Sequence, residues 1–234
     1  MRLDKFLCDV GIGTRSEVKK VISKGRVTVD GNVSRDPGAK VDENNSLVSF
    51  DGKELHYSQH VYFMLNKPQG VISASRTDLR NKGEVCVIDL IKEEKHRELF
   101  PVGRLDKDTV GLLLITDDGV LAHNLLSPKK HVDKKYYAEL EKPLNENDKT
   151  KIEAGIDIGD DTPTLPASIE MIDTHSLYIT IREGRFHEIK RMFEAVDNKV
   201  LFLKRIEMGA LVLDKNLDYG EYRPLSEEEL LSIS

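Results

Sequence analysis

The run Leu112-Leu113-Leu114-Ile115-Thr116 limits what this chain can fold into more than any other stretch of it. Four apolar residues and a threonine stand between a charged loop and Asp117-Asp118-Gly119, which by composition is a buried strand bounded by turns. Asp118 can cap a following helix, and Leu121, Ala122, Leu125 and Leu126 recur behind it at helical spacing. Just before the strand, Arg104, Asp106, Lys107 and Asp108 fall within five positions. A loop beside a rigid strand is a common seat of catalytic groups, because the strand fixes their position. A charged turn closed by local salt bridges would have the same composition, and periodicity does not single out one carboxylate.

The chain has 234 residues, room for one large domain or two smaller ones. No apolar run approaches the ~18 residues of a membrane span. Charge at Met1-Arg2-Leu3-Asp4-Lys5 stands where a signal peptide needs an apolar core. Cys8 and Cys86 form no Cys-x-x-Cys pair, and the seven histidines show no metal spacing. The expectation is a cytoplasmic protein with no membrane partner and no structural metal.

The net charge of −6 argues against a nucleic-acid partner only if it is evenly spread. It is not. Residues 1–40 hold nine bases and five acids, and residues 182–205 hold seven bases and four acids. The deficit lies in residues 139–161, with eight acids and three bases, and in 206–234, with seven acids and two bases. These acidic segments are expected to point away from any bound RNA.

In the first basic island Leu3, Phe6, Leu7 and Val10 recur at helical spacing, and Gly11-Ile12-Gly13 ends that helix. Thr14 with Glu17 forms a capping box for a second helix, whose apolar stripe is Val18, Val21 and Ile22. Residues 26–33 read as strand, Asp-Gly turn and strand, and the turn Phe50-Asp51-Gly52-Lys53 precedes a last short strand. A solvated helix face would account for the basic side chains. However, Arg2-Leu3-Asp4-Lys5-Phe6-Leu7, Gly11-Ile12-Gly13-Thr14-Arg15-Ser16 and the string from Ile22 to Gly31 resemble the S4 RNA-binding domain. The resemblance implies RNA contact through Arg2, Lys5, Arg15, Lys19, Lys20 and Arg26. The resemblance covers about residues 1–55, and the mixed segment 42–60 puts a boundary near 58, giving domains at 1–57 and 58–234.

From Val61 the pattern is strand-rich: Val61–Leu65 is a short apolar strand, and Val71–Ala74 resumes it after Asn66-Lys67-Pro68-Gln69-Gly70. That turn, with Gly103-Arg104-Leu105-Asp106, Thr109 and Gly111-Leu112-Leu113-Leu114, resembles the pseudouridine synthases that carry an appended S4 domain. Lys134–Leu140 resembles the family's tyrosine strand, Glu183–Phe193 its third motif, and Leu203-Lys204-Arg205 with Gly209 its closing one. Gly184-Arg185-Phe186-His187-Glu188-Ile189-Lys190-Arg191-Met192 resembles the small-subunit (RsuA-type) branch in particular.

The resemblance implies an α+β fold, with a small S4 domain ahead of a mixed, largely antiparallel sheet. It implies an isomerase that converts a uridine of 16S rRNA to pseudouridine, at the uridine customarily numbered 516. Nothing is oxidised and no group is carried in that reaction, so no cofactor is needed. Asp106 is implied as the catalytic carboxylate, Lys190 as the cation holding it ionised, and Tyr136 as the ring stacked on a flipped uracil. Tyr137 should face the other side of the strand. Arg104 would fill the vacated stack or hold phosphate, Leu203 would close the pocket, and Lys67, Arg185 and Arg191 would contact RNA. His187 is expected to do no more than hydrogen-bond behind the site. The rivals are a 23S rRNA synthase of the same branch and a non-catalytic ribosome-assembly factor. A monomer is the default, and 16S rRNA or a small-subunit assembly intermediate is the expected partner.

Overall fold

The computed structural model describes all residues except 56, 76–82, 93–96, 128–129 and 234. The chain divides into two compact units, Met1–His60 and Val61–Ser234. In the first, α1 (Leu3–Asp9) and α2 (Arg15–Ser23) pack beside a four-stranded sheet of order β2-β1-β3-β4. Its strands are β1 (Val27–Val29), β2 (Asn32–Ser34), β3 (Val48–Phe50) and β4 (Lys53–Leu55). The Glu17 carboxylate accepts from the Thr14 backbone N–H at 2.8 Å, which fixes the start of α2. Asp30 and Gly31 between β1 and β2 both have positive φ, 50° and 78°. This is the left-handed pair that a two-residue hairpin requires. Leu3, Phe6, Leu7, Val18, Ile22, Val27, Val41 and Val48 close a small core.

The second unit is built on a nine-stranded sheet. Its path runs β13 (Tyr222–Pro224), β5 (Tyr62–Lys67), β7 (Val110–Thr116), β11 (Val200–Met208), β8 (Lys134–Leu140), β10 (Ser176–Ile181), β9 (Ser168–Met171). β6 (Phe100–Val102) also pairs with β7, and β12 (Leu211–Val212) with β11. Strands β7 and β11 are parallel, and the other neighbours are antiparallel. The fold is therefore α+β with a mixed, largely antiparallel sheet.

Every residue of β7 is buried because both of its faces are covered. Leu113 and Ile115 join the core under α4 (Glu146–Ala154) and α5 (Glu188–Glu194), with Ile152, Ile189, Met192 and Phe193. Leu112 and Leu114 face the opposite way, toward α3 (Gly119–Leu126) and α6 (Glu227–Ile233), with Leu121, Leu125 and Ile233. Asp118 caps α3 by accepting from the N–H groups of Val120 and Leu121 at 2.9 and 3.0 Å.

The expected strand at 71–74 does not form. Gly70 turns the chain at φ 84°, and the segment makes only an isolated parallel bridge, Ile72 to Cys86. Ile72 exchanges backbone hydrogen bonds with Val85 and Val87, and the Ser73 hydroxyl is engaged on the loop that carries Asp106.

Candidate active site

The loop 103–109 leads into β7, and a set of hydrogen bonds fixes it. Ser73 Oγ donates to the Leu105 carbonyl at 2.8 Å and accepts from the Leu105 N–H at 3.0 Å. Gly70 N–H donates to the Lys107 carbonyl at 2.8 Å. The Thr109 N–H donates to the Asp106 carbonyl at 3.2 Å, closing the turn on itself. Lys67, at the end of β5, reaches under the loop, and its ammonium donates to the carbonyls of Thr109 (2.9 Å) and Pro68 (3.1 Å).

This corrects the expectation for Lys67. It is fully buried and cannot touch a phosphate. Burial drives its pKa down to about 8, only partly offset by the charges of Asp108 and Asp106.

On this loop Asp106 and Asp108 share one cation. Lys190 Nζ lies 2.9 Å from Asp106 Oδ2 and 2.5 Å from Asp108 Oδ1. Burial works against the Lys190 charge, but its hydrogen bonds to the two carboxylates outweigh that and raise its pKa. Burial likewise works against ionised Asp108, and the Lys190 hydrogen bond overrides it, so its carboxyl titrates below the usual range. On the other side of Asp106, His187 Nε2 stands 3.5 Å from Oδ1. His187 is the N-cap of α5 and holds a left-handed φ of 50°.

Asp106, Lys190 and His187 border a pocket of about 60 Å³, with Tyr136 and Leu203 on its apolar side and Arg104 and Asp106 on its polar side. Strand alternation puts Tyr136 inside and Tyr137 on the opposite face, where Tyr137 meets Tyr178 and Phe202. Burial raises the Tyr136 phenol pKa, against the pull of the neighbouring Arg205 charge. Arg205 is itself almost wholly buried and donates to the Leu112 carbonyl at 2.8 Å. Its backbone passes so close to β7 that a Cβ on Gly111 would sit 2.2 Å from its carbonyl oxygen, which leaves room only for glycine.

The remaining expected residues divide into two groups. Arg104 is exposed at the pocket, and Arg15, Lys19 and Lys20 are exposed on α2. Others have partners within the protein. Arg2 is paired with Asp4, Arg26 with Asp51, and Lys5 lies 3.8 Å from Asp9. The Arg185 guanidinium donates to the carbonyls of Thr162 (2.6 Å) and Pro163 (2.8 Å) and to Glu183 (3.0 Å). Arg191 is tied to Asp160 at 2.5 Å and to the Ile158 carbonyl. The donors of Arg185 and Arg191 are thus engaged in bracing the loop ahead of α5, and Arg185 also lines the pocket.

The sequence reading assigned no role to Ser73, Gly111, Arg205 or Glu188, although the last three fall within its motifs. Glu188 lines the pocket and is buried, with Oε2 accepting the Arg185 N–H at 2.8 Å. Burial, with Glu183 nearby, pushes its pKa up to about 7. Among the described residues, none that lines this pocket falls in 139–161 or 206–234.

The comparisons with known proteins bear on this arrangement directly. Residues 61–195 match the model of the family described as RNA pseudouridylate synthase, and residues 1–47 match that of the S4 domain. This chain belongs to the RNA pseudouridylate synthase family. It is 46% identical to the uncharacterized RNA pseudouridine synthase YtzG of Bacillus subtilis, over 98% of this chain and 97% of that one. It is 42% identical to ribosomal small subunit pseudouridine synthase A of Vibrio cholerae, over 100% and 99% of the two chains. A solved structure, a pseudouridylate synthase crystal structure, aligns over the whole of both chains with a TM-score of 0.70 and 36% identity. The chain is accordingly an isomerase that acts on RNA, with an S4 domain ahead of its catalytic domain.

Proposed function

We propose that this enzyme converts one uridine of small-subunit ribosomal RNA to pseudouridine, with Asp106 as the catalytic carboxylate. The observation that carries the reading is the ion pair of Asp106 with Lys190 at the edge of a pocket walled by Tyr136 and Leu203. The small-subunit target follows the names of relatives similar over their full length, such as that of Vibrio cholerae. The target uridine is the one customarily numbered 516.

The reaction breaks the bond from uracil N1 to ribose C1′, turns the base, and joins C5 to C1′. The hydrogen on C5 then leaves to solvent, and N1 takes up a proton from solvent, so that the product is an isomer of the uridine. A carboxylate suits this chemistry because it can form a bond to carbon or take a proton, and it stabilises positive charge on the sugar. Lys190 pairs with the Asp106 carboxylate at 2.9 Å beside the apolar wall of the pocket.

The uridine must leave its stack, at a cost of a few kcal/mol. Tyr136 offsets part of that by stacking on the uracil, and Leu203 covers its apolar side. Arg104, exposed next to the pocket, occupies the vacated space or binds phosphate. The S4 domain, assigned to residues 1–57 ahead of a catalytic domain at 58–234, contacts RNA through α2, with Arg15, Lys19 and Lys20 foremost. Arg2, Lys5 and Arg26 contribute less there, since each already has a carboxylate at hand.

The test uses rRNA transcripts containing 5-tritiated uridine, as naked 16S and 23S RNA and as a small-subunit assembly intermediate. Tritium release from a small-subunit substrate, with one pseudouridine mapped, supports the reading. Release from 23S RNA alone reassigns the target. No release from any substrate overturns it.

A further inference from the structure

Phe186 is 74% exposed, yet it adjoins His187, a residue that lines the pocket. Its backbone is fixed. The Phe186 carbonyl accepts from Arg191 Nη1 at 3.1 Å, Arg191 is anchored on Asp160, and the next residue caps α5 in a left-handed conformation. The phenyl ring lies on the His187 imidazole with centroids 3.8 Å apart and planes 17° from parallel. Because His187 Nε2 is 3.5 Å from Asp106, the chain of contacts runs from carboxylate to imidazole to phenyl. An apolar ring held this firmly has already met most of the ordering cost that binding would demand.

We propose that Phe186 is a base-stacking residue, which receives the base next to the target uridine when that uridine enters the pocket. The proposal rests on the reading of the pocket as a uridine site. Extruding a base exposes a face of its neighbour, and an aromatic side chain replaces the lost stacking for any base, since every base has a π-face. Phe186 therefore contributes to affinity, and sequence preference lies elsewhere. It is a positioning residue: its ring touches the RNA beside the reacting nucleotide, while Asp106 acts on the uridine.

The experiment uses an RNA oligonucleotide spanning the mapped target, with the wild type and the Phe186→Ala, Phe186→Leu and Phe186→Trp variants of the full chain. Stacking on one base predicts that Phe186→Ala and Phe186→Leu each weaken binding by about 5- to 150-fold. The rate at saturating RNA stays unchanged, and Phe186→Trp restores binding. A second arm places an abasic nucleotide on the 5′ or the 3′ side of the target. At one of these flanks the abasic site weakens wild-type binding by the same factor and costs Phe186→Ala nothing further.

Three results overturn the proposal. In the first, Phe186→Ala binds like the wild type. In the second, Phe186→Leu restores binding, which reduces the ring to packing on the imidazole. In the third, the two penalties multiply at both flanks. A wild type that modifies no RNA overturns the uridine reading itself, and this proposal with it.

Discussion

Replacing Lys67 with methionine tests whether the catalytic loop is held by a buried ammonium. Lys67→Met preserves length and apolar volume but removes the charge and the donors to the Thr109 and Pro68 carbonyls. Burial lowers the folded-state pKa from the ordinary 10.5 to about 8. Between those values the unfolded chain binds more protons at this site than the native one, so stability rises with pH as Lys67 sheds its proton. From about pH 7 to about pH 10 the linkage amounts to about 2.5 kcal/mol.

The variant lacks this contribution, whatever else titrates. Urea unfolding of both proteins across that range should therefore show the wild type gaining about 2.5 kcal/mol on Lys67→Met. At neutral pH the loss of the buried charge offsets the cost of leaving two carbonyls without their donor, about 1–3 kcal/mol each. Net stability at neutral pH then changes little. Activity changes more: a loop displaced by about 1 Å costs on the order of 100-fold in kcat. Parallel stability curves for the two proteins would refute the reasoning, because they would mean that the native state does not perturb Lys67.

Lys190→Met should lower tritium release on the order of 100-fold by removing the cation between Asp106 and Asp108. Lys190→Arg should keep most of the activity, and equal loss in both variants would contradict a role for the charge. Glu188, with its pKa pushed up to about 7 from 4.5, withdraws stability as pH rises from 4.5 through 7, because the buried side must ionise at a disadvantage. Glu188→Gln should therefore gain on the wild type by on the order of 2 kcal/mol between about pH 5 and about pH 8, read from urea midpoints. Gly111→Ala should cost about 3 kcal/mol or more, from a positive φ combined with a Cβ driven into the backbone of β11. An unchanged midpoint for that variant would contradict the close approach of β7 and β11.

What could be read from sequence was local. The strand at 112–116 was legible because burial on both faces leaves no polar alternation. The caps at Thr14 and Asp118 and the Asp30-Gly31 turn are decided within three or four residues. Asp106, Lys190 and Tyr136 were picked out by resemblance, and the fold brings all three to one pocket across 84 positions of chain.

What failed depended on partners distant in sequence. Lys67 resembles a surface lysine before a Pro-Gln-Gly turn, and only the Thr109 carbonyl, 42 positions on, reveals it as an internal brace. The anchoring of Arg185 and Arg191 on the carbonyls at 158, 162 and 163 was likewise invisible in sequence. Val71–Ala74 is apolar enough for a strand, but Ser73 is tied to Leu105 in the loop that carries Asp106.

The central claim is that Asp106 performs the isomerisation, and one comparison tests it most directly: tritium release from 5-tritiated small-subunit RNA by the wild type and by Asp106→Asn. The substitution keeps the shape of the side chain and its place beside Lys190 while removing the charge and one carboxylate oxygen. The account predicts release by the wild type and none by Asp106→Asn, with RNA binding retained by both. Release by Asp106→Asn at the wild-type rate would contradict it.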